Sequence, residues 1–181
     1  MNFIAGVDEV GRGCLAGPVI AAAVVLKTNI PGLADSKKLS KKKREELSST
    51  IMQNSYFSFG SASVEEIDSI NILQASLLAM KRAILNLSVE PGKILVDGIH
   101  KPDLDIDTQT IIGGDSVVDE ISAASIIAKV YRDNLMMQFD KKYPDFYFSS
   151  HKGYGTKLHK AAIKKHGITP IHRKTFKGVI A

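Results

Sequence analysis

The sequence has few of the features that mark secreted, membrane or disulfide-bonded proteins. It contains a single cysteine, Cys14, among 181 residues, so no intramolecular disulfide can form and a reducing compartment is expected. No basic stretch followed by an apolar stretch opens the chain, and we therefore expect no secretory signal peptide. The longest apolar run, residues 15–26, is too short to span a bilayer. These absences favour a cytoplasmic enzyme or binding protein.

Two common kinds of binding motif are also missing. Gly11, Gly13 and Gly17 do not have the spacing of a dinucleotide-binding loop, and no phosphate-binding P-loop sequence occurs. The five histidines show no zinc-ligand spacing with a cysteine. Cys14 has no evident histidine–aspartate pair near it, so we expect a small packed residue rather than a nucleophile.

The remaining composition is ordinary for a soluble globular protein. Hydrophobic residues make up 44% and charged residues 24% of the chain, which suits a domain with a substantial core. The formal net charge of +5 permits a polyanionic partner without proving one. No internal repeat, low-complexity segment or linker divides the chain, so we expect a single domain over residues 1–181.

The hydrophobic pattern predicts an α/β protein in which strands and helices mix. Short apolar or alternating runs predict strands at 3–8, 18–26, 55–62, 93–98 and 108–112. Helical spacing predicts helices at about 41–53, 63–87, 116–139 and 156–166. Ser63 with Glu66, and Ser116 with Asp119, have the spacing of a capping box at two of the helix starts.

Four acidic residues stand where α/β proteins usually build their sites. Asp8 and Glu9 end the first strand, Asp97 ends a later strand, and Asp115 follows two glycines just before a helix. Several carboxylates within about 5 Å of one another cannot all stay ionised without compensating cations. Oxygen ligands suit Mg²⁺ or Mn²⁺, and two such ions about 4 Å apart are used in phosphoryl transfer.

Each acid has a simpler explanation when it is considered alone. Asp97 could belong to a turn, Asp115 could cap a helix, and Asp8 with Glu9 could form a salt-bridged turn with Arg12. The joint pattern is more informative than any of its members, and it favours a metal site.

Three further stretches could contact a phosphate, a sugar or a base. Gly11 and Gly13 allow a close backbone approach, and Arg12 between them could hold a phosphate. The segment 35–44 places six basic residues around a helix start, where Lys37 is the favoured contact and a solvated face is the alternative. Tyr154 lies between two glycines in a basic loop, where it could stack on a sugar or base, or simply pack.

These stretches together resemble a known family, bacterial ribonuclease HII. The resemblance covers residues 4 to about 176 and rests on the segments GVDEVGRG, DSKKLS, ILVDG, GGDSVVDEISAASIIAKVYRD, HKGYGTKLH and HRKTF, in this order. It implies a ribonuclease H-like fold, with a central mixed β-sheet flanked by helices. It also implies a helical, substrate-binding C-terminal part over about 141–181. We expect a monomer that does not contact membranes.

The resemblance also implies the reaction. The enzyme would hydrolyse the RNA strand of RNA–DNA hybrids and would nick duplex DNA on the 5′ side of a single embedded ribonucleotide. Asp8, Glu9, Asp97 and Asp115 would be catalytic and would hold two Mg²⁺ or Mn²⁺ ions. One ion would activate water and the other would stabilise the leaving 3′ oxygen, which gives 3′-hydroxyl and 5′-phosphate ends.

The remaining implied roles concern substrate recognition. Backbone groups of Gly11, Arg12 and Gly13 would read the 2′-OH of the ribonucleotide, the group that distinguishes RNA from DNA. Tyr154 would stack on the deoxyribose at the RNA–DNA junction. Lys37 would contact the substrate, and lysine–phosphate contacts would make binding depend on salt.

Three alternatives stay open at this point. A ribonuclease HIII-like nuclease usually carries Lys at the position of Arg12 and an additional N-terminal domain, whereas the signature here begins at residue 6. A non-catalytic module that binds RNA–DNA hybrids would gain nothing from clustered acids beside phosphates. A small-molecule phosphohydrolase should tolerate the loss of the lysines and of Tyr154.

Overall fold

The computed structural model describes residues 3–33 and 39–180, so the predicted substrate contact Lys37 lies outside the described residues. In the described part, five strands form a mixed sheet in the order β3-β2-β1-β4-β5. β1 runs antiparallel to β2 and parallel to β4, so β1 and β4 end at the same edge of the sheet. The strands are β1 (Ile4–Val10), β2 (Val19–Leu26), β3 (Ser55–Ala62), β4 (Lys93–Asp97) and β5 (Thr108–Ile111).

Helices cover both faces of this sheet. Residues of β2 alternate between two cores, since Ala21 and Ala23 pack with α2 whereas Ala22 and Val24 pack with α1 and α3. Burial on both faces explains the unbroken apolar sequence of β2. No helix in the described part of the chain combines the length and apolarity that a membrane span requires. The helices are α1 (Lys41–Gln53), α2 (Val64–Leu85), α3 (Asp119–Lys142), α4 (Phe148–His151) and α5 (Lys157–His166).

A glycine allows α3 to pack closely on β1. A Cβ atom on Gly6 would collide with backbone atoms of Glu120 and Ile121 in the first turn of α3. Small buried residues, including Ala123 and Ala124, continue along the helix. Because α3 lies directly on β1, its inward-facing side chains reach the end of that strand.

The C-terminal part is helical, as the resemblance implies. It contains α4, α5 and a 3₁₀ turn at Pro144–Phe146, which pack on the second half of α3 around Phe146, Phe148 and Met136. Leu15 and Ala16, from the segment between β1 and β2, belong to the same apolar cluster. The C-terminal part is therefore packed against the segment that follows β1.

Most of the predicted elements are confirmed, and the strand bounds agree to within two residues. The helix predicted at 41–53 has those bounds, and the side chain of Ser40 caps it by accepting from the N–H of Lys43. The capping box of Ser63 and Glu66 is present. The helix that it opens is interrupted at Asn71, which has a φ of 69°.

The predicted capping box at Ser116 and Asp119 is wrong. Residues Gly114–Ser116 form a 3₁₀ turn, and α3 begins at Asp119 after Val118, whose side chain cannot cap. The turn follows Gly113, which has a φ of 66°, and the backbone N–H groups of Ser116 and Val118 donate to carbonyls of the same turn. Backbone groups therefore replace the expected side-chain cap.

Candidate active site

A cavity of about 370 Å³ opens at the edge of the sheet where β1 and β4 end. Three of the four predicted catalytic acids line it, together with the whole of the glycine–arginine–glycine loop and the predicted stacking tyrosine. We call residues 11–13 the recognition loop from here on. The cavity is lined by Asp8, Glu9, Val10, Gly11, Arg12, Gly13, Asp97, Ser125, Lys129 and Tyr154.

Each of the three acids in the cavity is oriented by a hydrogen bond from the protein. Oδ1 of Asp8 accepts a hydrogen bond of 2.7 Å from the backbone N–H of Glu9. Oδ1 of Asp97 accepts one of 2.7 Å from the backbone N–H of Gly114. Oε1 of Glu9 accepts from Nη1 of Arg12 at 3.2 Å, so the salt-bridged turn considered above exists alongside the acid cluster.

Burial and neighbouring negative charges make the carboxylates of Asp8 and Glu9 costly to ionise. Burial raises the pKa of Asp8 well above its ordinary value, and the negative charges of Glu9 and Asp97 raise it further. Burial also raises the pKa of Glu9, although the neighbouring guanidinium of Arg12 offsets part of that rise. A cation in the cavity would relieve both costs because it would favour the ionised forms.

The fourth acid, Asp115, occupies a different position. It is buried in the 3₁₀ turn before α3, directly after Gly114, whose N–H binds Asp97. Asp115 is not among the residues that line the cavity. The structure therefore brings Asp115 next to the acid cluster through the backbone without placing its side chain in the cavity wall.

The donor set fits a divalent cation in its chemistry. The described residues contain no group of three or more histidine, cysteine, aspartate or glutamate side chains already arranged to hold a metal ion. Three carboxylates nevertheless share one cavity, and the pKa values of two of them are raised there. Hard cations such as Mg²⁺ and Mn²⁺ prefer such oxygen donors, and Asp8, Glu9 and Asp97 could hold one.

Two fully buried arginines, which the sequence analysis missed, hold the backbone around the recognition loop. Arg132 of α3 donates to the carbonyl oxygens of Ala16, Pro18 and Lys152 at 2.9–3.1 Å. Arg173 donates to the carbonyl oxygens of the loop itself. The apolar periodicity of α3 does not indicate that Arg132 is buried. Arg173 stands in the segment HRKTF, whose local pattern does not indicate its long-range contacts.

Tyr154 is accessible enough to contact a ligand. Its side chain is 40% exposed at the cavity wall, and its ring lies 6.0 Å from Nζ of Lys129. Tyr154 also forms an isolated backbone bridge with Cys14. Cys14 is fully buried, as expected for a packed residue, and burial raises the pKa of its thiol.

The basic cluster at the start of α1 lies on a solvated face. Lys41 and Lys43 are exposed and approach Glu45 and Glu46 at 3.8 and 4.0 Å. These contacts agree with a solvated face, the alternative given above for the lysines of α1. The role of Lys37 stays a prediction.

Comparisons with known proteins give consistent results. The family model described as Ribonuclease HII matches residues 5–179. A ribonuclease HII from Coxiella burnetii is 60% identical over 180 residues, which cover 98% of this chain and 89% of that protein. The ribonuclease H2 of Pyrococcus horikoshii OT3 superposes with a TM-score of 0.80 at 28% identity, covering 98% of this chain and 95% of the other. A ribonuclease HII from Archaeoglobus fulgidus, solved in complex with PCNA, gives a TM-score of 0.82 at 26% identity, covering 97% and 95%.

The mixed sheet with helices on both faces and acids at the ends of β1 and β4 defines a nuclease of the ribonuclease H-like fold. The match over nearly the whole chain narrows the class further: this chain belongs to the ribonuclease HII family. It is an endoribonuclease, and the activity of the family is directed at RNA–DNA hybrids.

We predict that Asp8→Asn stabilises the metal-free protein at pH 7. The folded protein binds a proton on Asp8 more tightly than the unfolded chain does, so the free energy of unfolding falls as the pH rises from the ordinary to the raised pKa. Asparagine removes that loss, so the free energy of unfolding of the variant at pH 7 should exceed that of the unmodified protein. The measurement is urea unfolding in EDTA at pH 7 and pH 5, and the gain should shrink at the lower pH.

Asp68→Asn is a control for which the expected change in the free energy of unfolding has the opposite sign. Burial would raise the pKa of Asp68, but hydrogen bonds from Thr175 and Lys174 outweigh burial, so its pKa is lowered. Asp68→Asn should therefore reduce the free energy of unfolding at pH 7. A loss of stability in Asp8→Asn like that in Asp68→Asn would contradict the strain assigned to the acid cluster.

Proposed function

We propose that this endoribonuclease nicks duplex DNA on the 5′ side of a single embedded ribonucleotide, in addition to hydrolysing the RNA strand of hybrids. The products would carry 3′-hydroxyl and 5′-phosphate ends. The observation that carries the proposal is the shared cavity, in which the recognition loop and Tyr154 face the carboxylates of Asp8, Glu9 and Asp97. A site that recognises a 2′-OH beside the scissile phosphate needs the groups that bind the sugar and the groups that cleave the phosphodiester within one nucleotide of each other.

The acids would act together as the hydrolytic centre. Asp8, Glu9, Asp97 and Asp115 are the proposed catalytic residues and the proposed holders of two Mg²⁺ or Mn²⁺ ions. Bound divalent ions would supply activation of the attacking water and stabilisation of the leaving 3′ oxygen. The backbone N–H of Gly114 fixes one oxygen of Asp97, and the same 3₁₀ turn carries Asp115, so a shift of this turn would move both acids together.

The recognition loop would identify the ribonucleotide. Gly11 has a φ of 94°, a conformation that glycine adopts without strain, and Gly13 has open space around its Cα. Backbone groups of Gly11, Arg12 and Gly13 would therefore approach the sugar closely enough to bind its 2′-OH. A 2′-deoxy sugar would leave those groups unpaired, which costs binding free energy at that position.

Tyr154 and the basic residues would hold the rest of the duplex. The exposed ring of Tyr154 would stack on the deoxyribose at the junction, and Lys129 at the cavity wall would attract the phosphates. Lys37 is proposed as a further substrate contact. A monomer in the cytoplasm is part of the proposal, and the lone buried Cys14 suits a reducing compartment.

The first test uses purified protein, Mg²⁺ and a labelled DNA duplex that carries one ribonucleotide. We expect a single nick 5′ to the ribonucleotide, which EDTA and an all-DNA duplex should abolish. Asp97→Asn should lose this activity by a factor on the order of 1,000 or more and keep its binding of the duplex, because the change removes a charge from the hydrolytic centre alone. Gel assays and fluorescence anisotropy measure the two properties.

Asp103→Asn serves as the matched control, since it neutralises an exposed aspartate outside the cavity and should leave both properties unchanged. Full Mg²⁺-dependent nicking by Asp97→Asn would contradict the assigned hydrolytic centre. Cleavage of a long RNA–DNA hybrid without nicking at a single ribonucleotide would overturn the junction proposal. Binding without any cleavage would favour the non-catalytic module.

Tyr154→Ala should weaken nicking at a single ribonucleotide, because the loss of one stacking contact costs about 1–3 kcal/mol. Tyr154→Phe keeps the ring and should retain most of the activity. The measurement is kcat/KM for both variants on the single-ribonucleotide duplex. Equal activity of Tyr154→Ala and the unmodified protein would show that Tyr154 has only a packing role.

A further inference from the structure

Two consecutive residues near the C-terminal end of the described chain are linked by hydrogen bonds to the recognition loop and to Tyr154. We call the recognition loop and Tyr154 together the recognition surface. His172 and Arg173 are fully buried, and neither lines the cavity. They nevertheless make hydrogen bonds that lead to the recognition loop and to Tyr154. In the sequence they stand within the segment HRKTF, whose local pattern indicates no role for them.

Arg173 binds the carbonyl side of the recognition loop. Its guanidinium donates to the carbonyl oxygens of Gly11 at 2.7 Å, Arg12 at 2.8 Å and Gly17 at 2.8–2.9 Å. Gly11 and Gly17 both have positive φ angles, so one rigid fork fixes a stretch of backbone that could adopt several conformations. Burial lowers the pKa of Arg173 to about 10, and the side chain therefore remains charged at neutral pH.

His172 reaches Tyr154 through His159. The backbone N–H of Thr169 donates to Nδ1 of His172 at 2.9 Å, so the proton of the neutral ring lies on Nε2. Nε2 of His172 then donates to Nε2 of His159 at 3.0 Å. Nδ1 of His159 consequently carries its proton and donates to the carbonyl oxygen of Tyr154 at 3.0 Å.

This directed chain of hydrogen bonds requires both imidazoles to be neutral. Burial lowers the pKa values of His159 and His172 to about 4, so both rings are neutral at pH 7. His159 also stacks on His151, which in turn accepts from the N–H of Gly153 beside Tyr154. The carbonyl of Tyr154 is thus held by a relay with a defined donor at every step.

We propose that His172 and Arg173 are positioning residues for ribonucleotide recognition, Arg173 by fixing the recognition loop and His172 by fixing Tyr154 through His159. The proposal rests on the proposed function and assigns it two residues that do not touch the substrate. Because they are adjacent in the chain, they hold the loop and the tyrosine at a fixed distance from each other. A buried arginine is a poor way to gain stability alone, since apolar residues often stabilise as well.

Arg173→Lys tests the first half, because lysine keeps the charge and loses the planar fork. We expect kcat/KM on the single-ribonucleotide duplex to fall on the order of 100-fold through misplacement of the loop. In the Asp97→Asn background, the ratio of Kd for all-DNA duplex to Kd for the ribonucleotide duplex should fall about tenfold. If Arg173 only stabilised the fold, the substitution would reduce the fraction of folded, active protein and would leave this Kd ratio unchanged.

Arg82→Lys is the matched control. Arg82 also donates to a backbone carbonyl, that of Ser61, and pairs with Glu66, but it lies outside the cavity. Its substitution should leave kcat/KM and the Kd ratio unchanged. If Arg173→Lys behaves like Arg82→Lys in both measurements, Arg173 is not a positioning residue.

His172→Phe and His172→Asn test the second half. Phenylalanine removes both polar atoms, whereas asparagine supplies one acceptor and one donor and should restore part of the relay. We expect His172→Phe to lose about as much kcat/KM as Tyr154→Ala, with little further loss when the two changes are combined. Full additivity of the two changes, or equal loss in the asparagine and phenylalanine variants, would overturn the role of His172.

Amide hydrogen exchange separates failure of this inference from failure of the proposed function. Exchange in residues 11–17 should accelerate in Arg173→Lys and stay unchanged in Arg82→Lys, whatever the substrate of the enzyme. If the unmodified protein does not nick at a ribonucleotide but residues 11–17 still lose protection, the proposed function fails and the structural link stands. Unchanged protection with intact nicking by Arg173→Lys would refute the inference alone. If Arg173→Lys does not fold, Arg173→Gln, which keeps an amide donor, replaces it in the binding and exchange measurements, and the histidine variants test the role of His172 independently.

Discussion

The structure depends on bringing α3 close enough to β1 to surround a buried carboxylate. The absence of a side chain on Gly6 permits this contact, and Ser125 of α3 then hydrogen-bonds Asp8. Lys129 follows one turn later at the cavity wall, and Arg132 follows after another turn beneath the backbone of the Ala16–Pro18 segment. One stripe of one helix therefore contacts the buried Asp8, the cavity wall and the backbone of residues 16–18 in succession, which is possible only because the helix lies directly on the strand.

Internal ion pairs offset only part of the free-energy cost of burying the acid cluster. Arg12 pairs with Glu9 at the exposed side, whereas the two fully buried arginines, Arg132 and Arg173, direct their donors to backbone carbonyls. The two fully buried guanidinium groups therefore hold the backbone in place and do not pair with Asp8 or Asp97, the carboxylates that are proposed to bind a divalent ion. Active sites commonly keep such strain because full neutralisation would remove the reason for a metal to bind.

The strands and the acid cluster could be predicted from the sequence, whereas one local hydrogen-bond competition and the long-range contacts of two buried arginines could not. Alternation and apolar runs predicted the strands, and acids at strand ends predicted a cavity that three of them share. Asn71 interrupts α2, and its Oδ1 accepts hydrogen bonds from the backbone N–H groups of Leu73 and Gln74, a competition that apolar periodicity does not register. The bonds of Arg173 to Gly11 and of Arg132 to Ala16 join residues separated by 162 and 116 positions, so no local pattern could reveal them.

The candidate site has two parts that depend on different regions of the chain. The proposed hydrolytic centre is built from β1, β4 and the start of α3, which contact one another within the sheet core. The recognition surface needs the C-terminal part, because the loop carbonyls bind Arg173 and the carbonyl of Tyr154 binds His159. Loosening of the C-terminal part would therefore disturb recognition before it disturbs the acids. Under the proposed function, selectivity for the ribonucleotide would depend on tertiary packing, whereas the proposed hydrolytic groups would depend on the sheet.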